Sequence, residues 1–177
     1  VDPVALWILR VGLAALLATA AFHKASQPRA FAETLRDYRV LPDAFAPAAV
    51  AGIVALEAGV AIALLLPGTS GRAALACGAL LAAYSAAIAL NLARGRRTLD
   101  CGCLGPRARQ PISGWLLARN GGLVLASALA ALPAEARSLH WVDAVSIAGG
   151  AAVLALLFHA TNALAAQAAA GRFGRPG

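Results

Sequence analysis

The chain has 177 residues, with 15 Lys and Arg against 8 Asp and Glu, a formal net charge of +7 and a pI near 10.7. It is 60% hydrophobic and 13% charged, with a mean hydropathy of +0.74, whereas soluble domains run about 45–50% apolar and about 25% charged. An ordinary soluble domain is thereby excluded. So is a nucleic-acid reading of the charge, because the basic residues flank apolar runs and do not line an aromatic-bearing face; the lipid bilayer, with its anionic headgroups, is the simpler partner.

A transmembrane helix needs about 20 mostly apolar residues, and five segments qualify: 4–22, 44–66, 72–93, 115–132 and 142–166. Alanine and leucine dominate them, which favours helix over strand. The expected fold is all-α, a polytopic membrane bundle of about five helices forming one membrane domain over 1–177. The first segment carries Ala18-Thr19-Ala20 but no basic stretch before it, and Arg10 interrupts the apolar run, so a retained helix is expected and not a cleaved signal. Pro42 and Pro47 fit the start of the second segment, Pro67-Gly68 breaks the chain before the third, and Pro133 stops the fourth.

Charge in the connections sets an expected orientation. Loop 23–43 holds Lys24, Arg29, Arg36 and Arg39; loop 94–114 holds Arg94, Arg96, Arg97, Arg107 and Arg109; the tail adds Arg172 and Arg175. The other side has only Arg72 and Arg137. By the positive-inside rule the N-terminus faces out and loop 94–114 faces the cytoplasm.

Arg10, Glu57 and Arg119 fall inside the spans, where a charge costs at least about 2.5–3.5 kcal/mol at the helix centre. Arg10 lies roughly 10 Å below the outer surface and Glu57 roughly 14 Å, so the two are placed to pair. Either they clamp the first two helices, or they touch a quinone headgroup or carry protons. Arg119 lies on the other side, about one turn inside the fourth segment, at the depth of Asn91 and Arg94. These are candidates for holding the loop backbone or a thiolate, against the plainer reading of snorkelling to headgroups. Tyr84 and Ser85 read as packing residues, and Gly12, Gly52, Gly59 and Gly78 as points of close helix approach.

The chemistry-bearing motif is Asp100-Cys101-Gly102-Cys103 in loop 94–114, which holds two of the three cysteines. A disulfide between i and i+2 closes a small, strained ring, which Gly102 makes accessible. Strained, exposed pairs have more oxidising potentials, and nearby arginines favour the attacking thiolate. Asp100 would shuttle a proton or cap the turn. The rival is a soft ion such as Cu(I) held by two thiolates, with His23 on the same side, although the chain has no methionine. A structural turn or inert disulfide is the third reading. Cys77 and His159 read as helix-packing residues, and no metal site is assigned.

The pattern resembles the MauE family, methylamine-utilisation membrane proteins related to DoxX. The resemblance spans roughly residues 7–125: Arg10, Lys24, Phe31, Tyr38 and Leu41-Pro42, then Glu57 with Gly59, Asn91-Leu92 with Arg94-Gly95, Asp100-Cys101-Gly102-Cys103 with Gly105, and Arg119-Asn120. Leu104 stands where the family commonly has Phe, and Ala21 where it has Gly. The resemblance implies an inner-membrane protein with a four-helix DoxX-like core plus a C-terminal helix. It also implies a periplasmic thioredoxin-like partner of the MauD type and a role in maturing the disulfide-rich small subunit of methylamine dehydrogenase.

Together these readings give a leading expectation of a membrane thiol–disulfide relay, with Cys101 and Cys103 as the exchanging dithiol. Asp100, Asn91 and Arg119 would poise it, and Arg10 with Glu57 would form an intramembrane polar site. No cofactor is required, and quinone is the one candidate. A non-catalytic assembly subunit of a larger membrane complex and a soft-metal carrier are the alternatives.

Overall fold

A computed structural model describes residues 1–96, 99 and 111–173. The described residues form six α-helices and one short 3-10 turn, with no strand among the elements. The helices are α1 (Pro3–Ser26), α2 (Pro28–Tyr38), α3 (Ala46–Leu65), α4 (Ser70–Ala93), α5 (Gly114–Ala130) and α6 (Trp141–Phe173); the 3-10 turn is Asp43–Phe45. Four of them are long and apolar enough to cross a membrane: α1, α3 with its preceding turn, α4 and α6. Helix α5 has 17 residues, about 25 Å at 1.5 Å per residue. The architecture is the all-helical membrane bundle that the composition demands.

Local chemistry fixes the helix ends. Asp2 accepts from Val4 N at 2.7 Å and Pro3 occupies the first turn of α1, where its missing N–H costs nothing. Gly68 turns the chain between α3 and α4 at φ +86°, and Thr69 Oγ1 donates to Ala63 O at 2.8 Å, satisfying a terminal carbonyl of α3.

One core joins α1, α3, α4 and α5. Leu13 and Leu17 meet Val60 and Leu64, Ala74, Cys77 and Leu81, and Ala130. The α4–α5 seam is built from small residues: a Cβ at Gly78 would lie 3.3 Å from Ser127 Cβ, the close approach on which membrane helices rely when apolar burial drives nothing. Gly12 sits near Leu154, but nothing approaches Gly52 or Gly59 within 4 Å, so these two face outward and do not form helix contacts. A closer approach is at Gly150 of α6, where a Cβ would lie 2.7 Å from Ile8 Cδ1. Helix α6 packs chiefly along α1, outside the four-helix core.

The stretch 23–43, read above as a loop, is largely helical. Helix α1 runs on to Ser26, and α2 follows after Gln27. Phe31, Ala32 and Leu35 of α2 pack on Ala46, Val50 and Val54 of α3, while Arg29, Glu33 and Arg36 take the other face. That is the pattern of an interfacial amphipathic helix, whose charges disguise it in a hydropathy reading. It ends at Arg39, in the left-handed region at φ 48°, ψ 42°.

Candidate functional site

Lys24 in the last turn of α1 and Glu57 in the middle of α3 form a buried ion pair, with side chains 3% and 0% exposed. Two ions inside an apolar bundle are tolerable only when paired and hydrogen-bonded. Tyr84 of α4 supplies the bond, its hydroxyl donating to the same Glu57 Oε1 at 2.7 Å. The rings of Phe31 and Tyr84 each lie 5.2 Å from Lys24 Nζ, adding cation–π attraction. Glu57 Oε2 is buried and has no hydrogen-bond partner among the described residues.

Arg10 and Glu57 therefore do not pair. Arg10 instead donates from Nε and Nη2 to Ala130 O, at 3.1 and 2.9 Å, and its guanidinium stands 5.7 Å from the Trp7 ring. The carbonyl of Ala130 ends α5 and lacks an intrahelical partner, so a cation fits there by hydrogen bonding and by helix dipole. The depth argument assumed that α1 and α3 end flush. They are staggered: Leu64 near the end of α3 shares a core cluster with Leu13 and Leu17. Glu57 is consequently met by Lys24, about 21 Å further along α1 than Arg10.

Arg119 of α5 reaches two amides. Its Nη1 lies 3.1 Å from Asn162 Oδ1 on α6, and its Nη2 and Nε lie 3.2 and 3.4 Å from Asn120 Oδ1. The Phe158 ring is 5.5 Å away. The charge is thus held within protein and tied to α6.

Lys24, Glu57, Tyr84, Arg119 and Asn162 line one end of a cleft of about 690 Å³ between α1, α4, α5 and α6. His23 and His159 also face it, and His159 packs edge-on to Phe158 at 5.8 Å. The remaining walls are almost wholly apolar, among them Leu13, Leu16, Leu81, Leu123 and Leu154. The cleft is therefore long and greasy with a polar head.

Asn91 is fully buried at the end of α4. Its Nδ2 donates to Tyr38 O and Ala87 O, both at 3.1 Å, and Oδ1 accepts from Arg96 Nη1 at 3.1 Å. Arg96 also donates to Asp37 O at 2.6 Å. One amide thus binds the end of α2 to the place where the chain leaves α4. Beyond it, Ile112 N donates to Leu99 O at 2.9 Å, and Leu99 and Ile112 pack with Tyr38, Ile88 and Leu116. The connection carrying Asp100, Cys101 and Cys103 is pinned at both ends here; those three residues themselves lie outside the described ones. Cys77 is a fully buried free thiol, its Sγ 3.5 Å from Ser127 Oγ.

The sequence profile described as methylamine utilisation protein MauE matches residues 2–133, which takes in Lys24, Glu57, Tyr84, Asn91 and Arg119 but not Phe158, His159 or Asn162. The chain belongs to the MauE family. It is 35% identical to the methylamine utilization protein MauE of Paracoccus denitrificans, over 91% of this chain and 88% of that one. Against the MauE proteins of Methylorubrum extorquens and Paracoccus versutus the identities are 36% and 37%, over 91% and 92% of this chain and 82% and 88% of theirs. No solved structure gives a significant match.

Within this MauE-family chain, sequence reasoning missed Lys24 and Tyr84 as site residues. Lys24 reads as a loop charge and Tyr84 as a packing residue. A signal for Lys24 is present: the buried positions of α1 include Leu6, Arg10, Leu13, Leu17, Ala21 and Lys24, spaced by threes and fours, so the same stripe runs past the end of the apolar run.

Proposed function

We propose that the protein is a thiol–disulfide relay of the bacterial cytoplasmic membrane, working with a thioredoxin-like partner of the MauD type during methylamine utilisation. Its client is a disulfide-containing periplasmic protein. Cys101 and Cys103 are the exchanging pair. A thiolate of the partner attacks one sulfur of the Cys101–Cys103 disulfide and the other sulfur leaves as thiolate. The second partner thiol then resolves the mixed disulfide, so that two electrons and two protons pass between the pairs. The reverse sequence runs by the same intermediate. Asp100 stands beside the pair as proton carrier or turn cap.

The supporting observation is the anchorage of the connection that bears the pair. Asn91, Arg96, Leu99 and Ile112 fix both its ends to the bundle, a construction suited to presenting a short motif to another protein. The methylamine utilization proteins MauE of Paracoccus denitrificans and Methylorubrum extorquens, to which the chain is similar, support the physiological setting. The excess of Lys and Arg in 94–114 and the tail supports an orientation with the N-terminus outside and the motif toward the cytoplasm, even with Lys24 now counted within a helix. Replacing Cys103 with Ser should trap a mixed disulfide with the partner. If neither single Cys→Ser variant traps a protein and both sustain full client maturation, the relay is wrong.

A further inference from the structure

The cleft, and not the cysteine motif, carries an inference about a ligand. Its head holds a buried carboxylate oxygen, Glu57 Oε2, with no hydrogen-bond partner among the described residues. The other oxygen, Oε1, already receives both Lys24 and Tyr84. An unpartnered buried acceptor is costly, more so for a charged group, and the residue that carries it lines a cleft of about 690 Å³, within the usual range for a small-molecule site; the oxygen meets a ligand as the carboxylate turns toward the cleft.

The chemistry of the head selects the ligand. Oε2 calls for a hydroxyl or amine donor. Lys24 and Glu57 neutralise one another, and the Arg119 charge at the same end repels a cationic headgroup. A phospholipid phosphate would suit Arg119 but would bring a second anion to an oxygen that lacks a donor. An uncharged head with a hydroxyl fits both conditions. Aromatic rings stand at the same end, Tyr84 and Phe158 with the imidazoles of His23 and His159, and favour a flat ring over a sterol or an aliphatic alcohol. The rest of the cleft offers leucine and alanine to a long apolar tail.

We infer that this cleft binds a long-chain hydroquinone, its ring hydroxyl donating to Glu57 Oε2 and its tail lying between α1, α5 and α6. The site is displaced from the Arg10–Glu57 pairing that the sequence suggested; Arg10 is not part of it. The binding is independent of whether Cys101 and Cys103 exchange disulfides, and it is tested without them.

The experiment uses the full chain carrying Cys101→Ser and Cys103→Ser, purified in dodecyl maltoside and titrated with decylubiquinol under anaerobic conditions. Saturable binding of one ligand per chain is expected. The dimethyl ether of decylubiquinol, which has the same shape and no hydroxyl donor, should bind about tenfold or more weakly, as should the oxidised quinone. Ala126→Phe fills the apolar wall and leaves the polar head untouched; it should abolish binding while Cys77 stays protected from thiol reagents, which shows the fold intact. Glu57→Gln should remove the preference for hydroquinone over its ether. The proposal is overturned by non-saturable partition, by equal affinity for hydroquinone and ether, by undiminished binding to a folded Ala126→Phe protein, or by equal competition from phosphatidylglycerol, which would make this a lipid site. A trapped mixed disulfide alongside any of these outcomes leaves the relay standing and removes only the ligand.

Discussion

The Lys24–Glu57 pair can be broken from either side, and either breakage strands one buried charge. Lys24→Met leaves the Glu57 carboxylate, and Glu57→Leu the Lys24 ammonium, without its counter-ion inside the bundle. Orphaning one member of a buried pair costs about 3–5 kcal/mol. The double variant Lys24→Met/Glu57→Leu buries no charge and should recover most of the loss. Cys77 provides the readout, since it is fully buried in the common core and is the one thiol left when Cys101 and Cys103 are serine. Its labelling rate, divided by that of an exposed thiol at the same pH, measures how often the core opens. At pH 7 the rate should rise about 150- to 5,000-fold in either single variant. Single variants within about threefold of the parent would refute the argument, as would a double variant whose loss equals the sum of the two.

Other expectations are simpler. Arg10→Met removes charge-assisted bonds to the end of α5 and should destabilise the protein by about 1.5–3 kcal/mol, read by the same Cys77 labelling, without changing decylubiquinol affinity. Gly150→Leu cannot be accommodated against Ile8 and should loosen α6 from α1, seen as faster proteolysis of the C-terminal helix with Cys77 protection retained. Arg39→Gly relieves a left-handed cap on α2 and should stabilise that turn by about 1 kcal/mol, measurable as slower amide exchange at Tyr38 and Arg39. An impermeant maleimide applied to spheroplasts should leave Cys101 and Cys103 unlabelled until the membrane is opened; labelling of intact cells would reverse the proposed orientation.

The long apolar helices are legible in the sequence because lipid forces long apolar runs, and all five such runs are helical, four of them long and apolar enough to cross a membrane. What hydropathy could not show was any element whose apolar face is shared with charge. Helix α2 vanished for that reason, since Phe31, Ala32 and Leu35 alternate with Arg29, Glu33 and Arg36. Lys24 was invisible as a core residue for a related reason: a lysine just past an apolar run reads as a loop charge unless the three-and-four spacing from Arg10 onward is extended through it. Pairing failed where it depended on stagger. Arg10 sits near one end of its segment and Glu57 near the middle of its own, and only tertiary packing shows that α3 lies further along α1 than flush ends would place it. Asn91 and Arg119 are placed by the sequence at the depth of the motif loop, but the far partners that hold them, the Tyr38 carbonyl and Asn162, lie 53 and 43 residues away, across gaps that no local pattern records.

The cleft has one wall unlike the others. Helices α1, α4 and α5 belong to a common core, whereas α6 rests mainly along α1 and is tied to α5 through Arg119 and Asn162. Translation delivers α6 after the helices that build the core. During biogenesis the earlier helices therefore present an open-sided groove to the bilayer, with Lys24, Glu57 and Tyr84 already in place, and the arriving helix closes it. A tail too bulky to thread into the finished protein can enter sideways at that stage, so filling the cleft becomes a step of membrane assembly as well as of equilibrium binding.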